Sequence, residues 1–126
     1  SRDERESGLR AILNYGHTFG HAIETLTGYK AFLHGEAVAI GMVCAARLAH
    51  RVGLCDRSVV EQTEWILQKL SLPTRFPSLR FQDFYRVLQQ DKKVLQDRIR
   101  FVLPRRIGEV QIQEWTDKKV LKEVLH

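Results

Sequence analysis

The sequence predicts a mainly α domain with one small β-hairpin. Three observations lead there: helical spacing of apolar residues before Pro73, only three prolines, and two short strand-like runs near the end. The stretch from about Asn14 to Leu26 carries Phe19, Ala22, Ile23 and Leu26 at three- and four-residue spacings, and Gly28 follows as a helix stop. From Gly35 to about Val52, small and apolar residues occupy nearly every side, which predicts a buried helix ended by Gly53. Ser58 and Glu61 have the spacing of a capping box and open a third helix through Trp65, Ile66 and Leu70. Leu72 to Leu79, with Pro73 and Pro77, reads as a loop, and Phe81 to about Gln90 as a short helix. Ile99 to Leu103 and Glu109 to Ile112 flank Pro104-Arg105-Arg106-Ile107-Gly108 and predict the hairpin. Thr116 can cap a last amphipathic helix from Asp117 to Leu125. Trp65, Trp115 and the phenylalanines are expected in the core or at an interface.

The length, 126 residues with 44% apolar, suits a single domain over residues 1–126. Lys and Arg total 20 against 15 Asp and Glu, a formal charge of +5. The basic residues are spread out, in pairs at most (Lys92-Lys93, Arg105-Arg106, Lys118-Lys119), and no groove-reading motif accompanies them. A small anion or plain solvation fits this better than nucleic acid. Cys44 and Cys55 make no C-x-x-C and read as reduced thiols, in keeping with a cytoplasmic protein. No signal peptide and no apolar run of membrane-spanning length is recognised, so no membrane partner is expected. The start at Ser1, without Met and inside a charged stretch, reads as the beginning of an excised piece.

Three of the five histidines, His17, His21 and His34, fall within 18 residues. His17 and His21 are four apart and share one helix face. Neutral imidazole is a common zinc ligand, so the pair could share a divalent metal, with His34 brought back by a turn through Gly28. A His pair at helical spacing is often only a polar face. Gly16 and Gly20 shift the balance, because glycine within a helix costs about 1 kcal/mol relative to alanine and implies close approach of a backbone or ligand. Glu24 and Glu36 lie near as further ligands or as partners that orient the histidines. His50 and His126 read as surface residues. No Glu follows the first His directly, which argues against a metalloprotease.

Leu13-Asn14-Tyr15-Gly16-His17-Thr18-Phe19-Gly20-His21-Ala22-Ile23-Glu24, followed by Leu33-His34-Gly35-Glu36-Ala37-Val38-Ala39-Ile40-Gly41-Met42, closely resembles the paired motifs of the 3-dehydroquinate synthase family. Glu6-Ser7-Gly8-Leu9-Arg10 matches the lead-in, and Asp91-Lys92-Lys93, Ile99 to Leu103 and Ile107-Gly108 match later family features, so the resemblance spans nearly the whole chain. It implies the helical, metal-binding C-terminal domain of that fold. Enzymes of the family are lyases of the shikimate route to aromatic amino acids. They convert 3-deoxy-D-arabino-heptulosonate 7-phosphate to 3-dehydroquinate and phosphate, with bound NAD+ reduced and reoxidised in each turnover. A divalent metal, Zn2+ or Co2+, polarises the oxygen being oxidised.

By that resemblance, His17 and His34 are metal ligands, and the third ligand is a glutamate N-terminal to this segment. His21 contacts substrate and helps move its proton, Glu6 is an acidic residue of the site, and Arg10, Asn14 and one lysine of Lys92-Lys93 (Lys92 preferred) bind the anionic substrate. The implied partners are an N-terminal NAD-binding domain of the same protein and a second copy in a homodimer. No glycine-rich dinucleotide loop occurs in the chain, so the piece is expected to be inactive alone. Tyr15 replaces the family's frequent Phe. Asn14 speaks against 2-deoxy-scyllo-inosose synthase, which typically has an acidic residue there, and the histidine spacing fits iron-containing alcohol dehydrogenases poorly. A non-catalytic helical binding module is the rival from another class, and bound metal would decide against it.

Overall fold

In the computed structural model, residues 16–90, 99–106, 109–115 and 118–125 are described. The elements run α1 (His17–Leu26), α2 (His34–Arg51), α3 (Arg57–Lys69), α4 (Phe81–Gln90), β1 (Ile99–Arg106), β2 (Glu109–Trp115) and α5 (Lys118–Leu125). The mainly helical class with one hairpin is as expected.

Helix α2 is the centre of the fold. Ala37 to Gly41, Val43 to Ala46, Leu48 and Ala49 are all buried, so the helix is covered on nearly every side. Helix α1 presses Phe19, Ala22 and Ile23 onto it, α5 contributes Leu121 and Leu125, and β1 contributes Leu103. On another side, Leu67 of α3 packs against Ala39 and Val43. Phe84 of α4 stacks on Phe19 with ring centres 5.9 Å apart and meets the edge of Phe76 at 5.0 Å. Aromatic burial of this kind contributes area and preferred ring geometry together.

Both glycine stops act as expected. Gly28 (φ 70) and Gly53 (φ 83) take the left-handed conformation that glycine adopts without a Cβ clash. At each, two backbone bonds close the end: Tyr29 N–H to Glu24 O and Gly28 N–H to Thr25 O after α1, Leu54 N–H to Ala49 O and Gly53 N–H to His50 O after α2. Helix α3 ends the same way on Ser71 (φ 59), whose N–H reaches Gln68 O while Leu72 N–H reaches Leu67 O.

One expectation needs correction and another is narrowed. Helix α3 begins at Arg57 with Asp56 as its cap residue, so Ser58 already lies inside the helix, and Glu61 pairs with Arg57 at 3.3 Å. The i,i+4 acid–base pair on the exposed face takes the glutamate that a capping box would need. Trp65, expected in the core or at an interface, is outside the core: it is 61% exposed, with Lys69 Nζ 5.3 Å from its ring centre. It lies on the solvent side of α3, whose buried side is Val59, Val60, Thr63 and Leu67.

The hairpin pairs antiparallel, with Ile99 opposite Trp115 and Val102 opposite Ile112. Both strands run further than the sequence pattern implies. β1 passes through Pro104, which is tolerated in a two-stranded sheet where, among the described residues, one edge of each strand has no neighbour, and the register shifts between Pro104 and Arg106. Thr116, Trp115's side chain and His126 lie outside the described residues, as does everything before Gly16.

Candidate metal centre

The site is built where α1 and α2 touch. Three glycines allow the contact. A Cβ on Gly20 would lie 3.0 Å from Ala37 O and 3.1 Å from Val38 Cα, and one on Gly16 would lie 2.5 Å from Val38 O. From the other helix, a Cβ on Gly41 would strike Gly16 O and come within 2.7 Å of Gly20 N. The expected close approach at Gly16 and Gly20 is therefore a backbone-to-backbone helix contact, and Gly41 is its counterpart on α2.

This contact carries the first turn of α1 beside the start of α2. His17 is the first residue of α1 and His34 the first of α2, and their ring centres are 5.9 Å apart with planes tilted by 30°. Both side chains reach solvent. Metal–nitrogen bonds of about 2 Å put two imidazoles on one tetrahedral ion with centres roughly 5 Å apart, close to the separation seen here. His21 is exposed one turn further along α1. The structure thus brings His17 and His34 together across two helices. Among the described residues, no cluster of three or more His, Cys, Asp or Glu side chains is assembled for a metal.

The two glutamates divide their work. Glu24 Oε1 lies 2.9 Å from His34 Nδ1, and Glu24 is buried at 8% exposure. A carboxylate accepts only, so Nδ1 is the donor in this contact and Nε2 is the ring nitrogen that Glu24 leaves unengaged. Glu36 instead accepts the backbone N–H of Leu33 at 2.8 Å, tying down the start of α2. Leu33 has no side-chain acceptor of its own to cap the helix, and Glu36 braces that end instead. His50 Nδ1 faces Cys55 O at 3.2 Å on the surface, away from any ligand cluster.

Cys44 and Cys55 are free thiols, as expected. Burial pushes the Cys44 thiol up to about 12, with Arg47 opposing weakly, and burial followed by the Asp56 charge raises Cys55. Neither is a metal-ready thiolate. Of the remaining expected site residues, Glu6, Arg10, Asn14, Lys92 and Lys93 lie outside the described residues.

Sequence reasoning missed one grouping. Arg80 and Arg86 of the α4 region and Lys118, Lys119 and Lys122 of α5 line one open cleft together with Phe81 and Tyr85. Lys118 Nζ sits 4.8 Å above the Tyr85 ring. The linear sequence separates these cations by some thirty positions, and only the fold gathers them. No helix among the described residues is long and apolar enough to cross a membrane.

Comparison with known proteins matches residues 1–94 to the family model described as 3-dehydroquinate synthase C-terminal. A 3-dehydroquinate synthase of Synechocystis sp. is 50% identical over 126 residues, covering 99% of this chain and 35% of its own length. The chain therefore spans about a third of such relatives. Among solved structures, 2-deoxy-scyllo-inosose synthase in complex with carbaglucose-6-phosphate, NAD+ and Co2+ superposes with TM-score 0.75 at 30% identity, over 89% of this chain and 33% of that one. 2-epi-5-epi-valiolone synthase from Streptomyces hygroscopicus, with NAD+ and Zn2+ bound, gives TM-score 0.75 at 25% identity, over 89% and 31%.

Proposed function

The chain belongs to the 3-dehydroquinate synthase C-terminal family, and on that premise we propose that it is the metal- and substrate-binding part of a complete, cytoplasmic 3-dehydroquinate synthase. The reaction is conversion of 3-deoxy-D-arabino-heptulosonate 7-phosphate to 3-dehydroquinate and phosphate. One observation carries the reading: within a sequence half identical to the Synechocystis enzyme, His17 and His34 meet across two helices with ring centres 5.9 Å apart.

His17 and His34 would hold a divalent ion, Zn2+ or Co2+, and a glutamate from an N-terminal domain of the same protein would complete the ligand set. When bound, the metal supplies Lewis-acid polarisation of the substrate hydroxyl, and NAD+, carried by that N-terminal domain, supplies the hydride acceptor. His21, exposed one turn beyond His17, takes up and returns a proton at the substrate, with Glu6 as a neighbouring acid–base group. Arg10 grips the substrate carboxylate in the two-pronged manner of a guanidinium, and Lys92 meets a second anionic oxygen as a point charge. Asn14 hydrogen-bonds the substrate without repelling it. The active assembly is a homodimer.

The structural likeness to 2-deoxy-scyllo-inosose synthase supports a shared cyclase framework, but the 50% identity to a dehydroquinate synthase, against 30% to that enzyme, favours the dehydroquinate reaction. Metal analysis of alanine variants in the full-length enzyme tests the ligand assignment. His17→Ala and His34→Ala should purify without metal, and His21→Ala should keep metal while losing turnover. Metal lost from His21→Ala but kept in His34→Ala would reverse the assignment.

A further inference from the structure

We infer that Glu24 is a positioning residue that fixes the tautomer and ring orientation of His34 and thereby sets the metal affinity of the His17–His34 pair, an inference that rests on the metal-centre reading above.

Glu24 violates two local preferences. It lies near the C-terminal end of α1, where the exposed carbonyls disfavour negative charge. It is also buried at 8% exposure, and a buried carboxylate is costly unless it is hydrogen-bonded. Among the described residues, the one side chain that partners its carboxylate is His34, at 2.9 Å. The main chain at Glu24 is held as well, since its carbonyl accepts the Tyr29 N–H that closes the helix. A fixed backbone and a buried side chain give the carboxylate little freedom.

The pairing is lopsided in a way that suits orientation. The His34 side chain is 67% exposed and the Glu24 side chain 10%. Here the buried oxygen grips one ring nitrogen of an imidazole that otherwise stands in the open beside His17. With Nδ1–H donated to the carboxylate, the free Nε2 lone pair is the only metal-binding position left on His34. Glu36, bonded to the Leu33 N–H, braces the same helix start.

The test uses full-length synthase labelled with 15N at histidine, together with zinc affinity measured by chelator competition. In the metal-free wild type, His34 should show the Nδ1–H tautomer. Glu24→Met keeps the volume and tolerates burial but removes the acceptor; His34 should then shift toward Nε2–H and the zinc dissociation constant should rise roughly 10- to 100-fold. Glu24→Gln retains an acceptor oxygen and should recover at least about half of that loss on a logarithmic scale. Wild-type zinc affinity in Glu24→Met, with metal lost from His34→Ala, would overturn this inference alone. A Gln variant as weak as the Met variant would overturn the hydrogen bond as the cause. Wild-type affinity in His34→Ala would overturn the metal centre and this inference with it.

Discussion

Gly41 of α2 faces the main-chain carbonyl of Gly16 on α1 so closely that a single added carbon would collide with it. The atoms nearest that added carbon all belong to the backbone of α1, so no flexible side chain there can give way. Gly41→Ala should therefore destabilise the protein by on the order of 3 kcal/mol and loosen metal binding by parting His17 from His34. Gly35, on the same helix, has open space around the equivalent position. Gly35→Ala should be neutral or stabilise by up to about 1 kcal/mol. Urea midpoints of the two variants check both signs at once.

Ser71 closes α3 in a left-handed conformation that a side chain resists. Ser71→Gly keeps the two closing backbone bonds and removes the Cβ clash, so it should stabilise by about 1 kcal/mol. A rise in the thermal midpoint checks this, and a fall would show that the Ser71 hydroxyl contributes more than the strain costs.

The cysteines should differ in reactivity. Burial raises the pKa of Cys44 to about 12, so its thiol stays protonated near neutral pH. Cys55 is raised as well, but part of its side chain is accessible. Because raising a thiol pKa lowers the thiolate fraction at any pH below it, both labelling rates should climb with pH across the range 7 to about 9. Iodoacetamide and mass spectrometry should find Cys55 modified first, with Cys44 protected until the protein unfolds.

The 126-residue chain alone should fold but release no phosphate from the seven-carbon substrate, even with NAD+ and zinc supplied. Two histidines give a weak metal site, and no dinucleotide fingerprint is present in the sequence. A phosphate-release assay decides, and turnover near that of a complete enzyme would refute the proposal that the chain is one part of a shared site.

Features governed by local chemistry were legible in the sequence. Gly28 and Gly53 stop helices because few other residues fit a left-handed position, and the all-round apolar surface of α2 reveals its burial. The penalty of glycine within a helix made Gly16 and Gly20 informative, but its counterpart Gly41 appears only when two helices are laid together. Spacing alone made His17–His21 as good a metal pair as any, whereas the ring contact is His17–His34, which depends on the α1–α2 crossing. Ser58–Glu61 misled because Arg57 competes for the same glutamate, while Trp65 could not be assigned between core and interface until the fold showed which face of its helix it occupies. Ser71 could not be foreseen as a helix stop, since serine carries no general preference for that conformation.

The turn between α1 and α2 is short, and His17 and His34 are only seventeen residues apart in the chain. Bringing such near neighbours together costs little loop entropy, and contacts of this range form early as a chain collapses. The paired imidazoles should therefore be in place as soon as the first two helices dock, well before the late hairpin joins the core. An ion present during synthesis would then find both imidazoles already side by side, and could hold that helical pair together while the hairpin and last helix arrive.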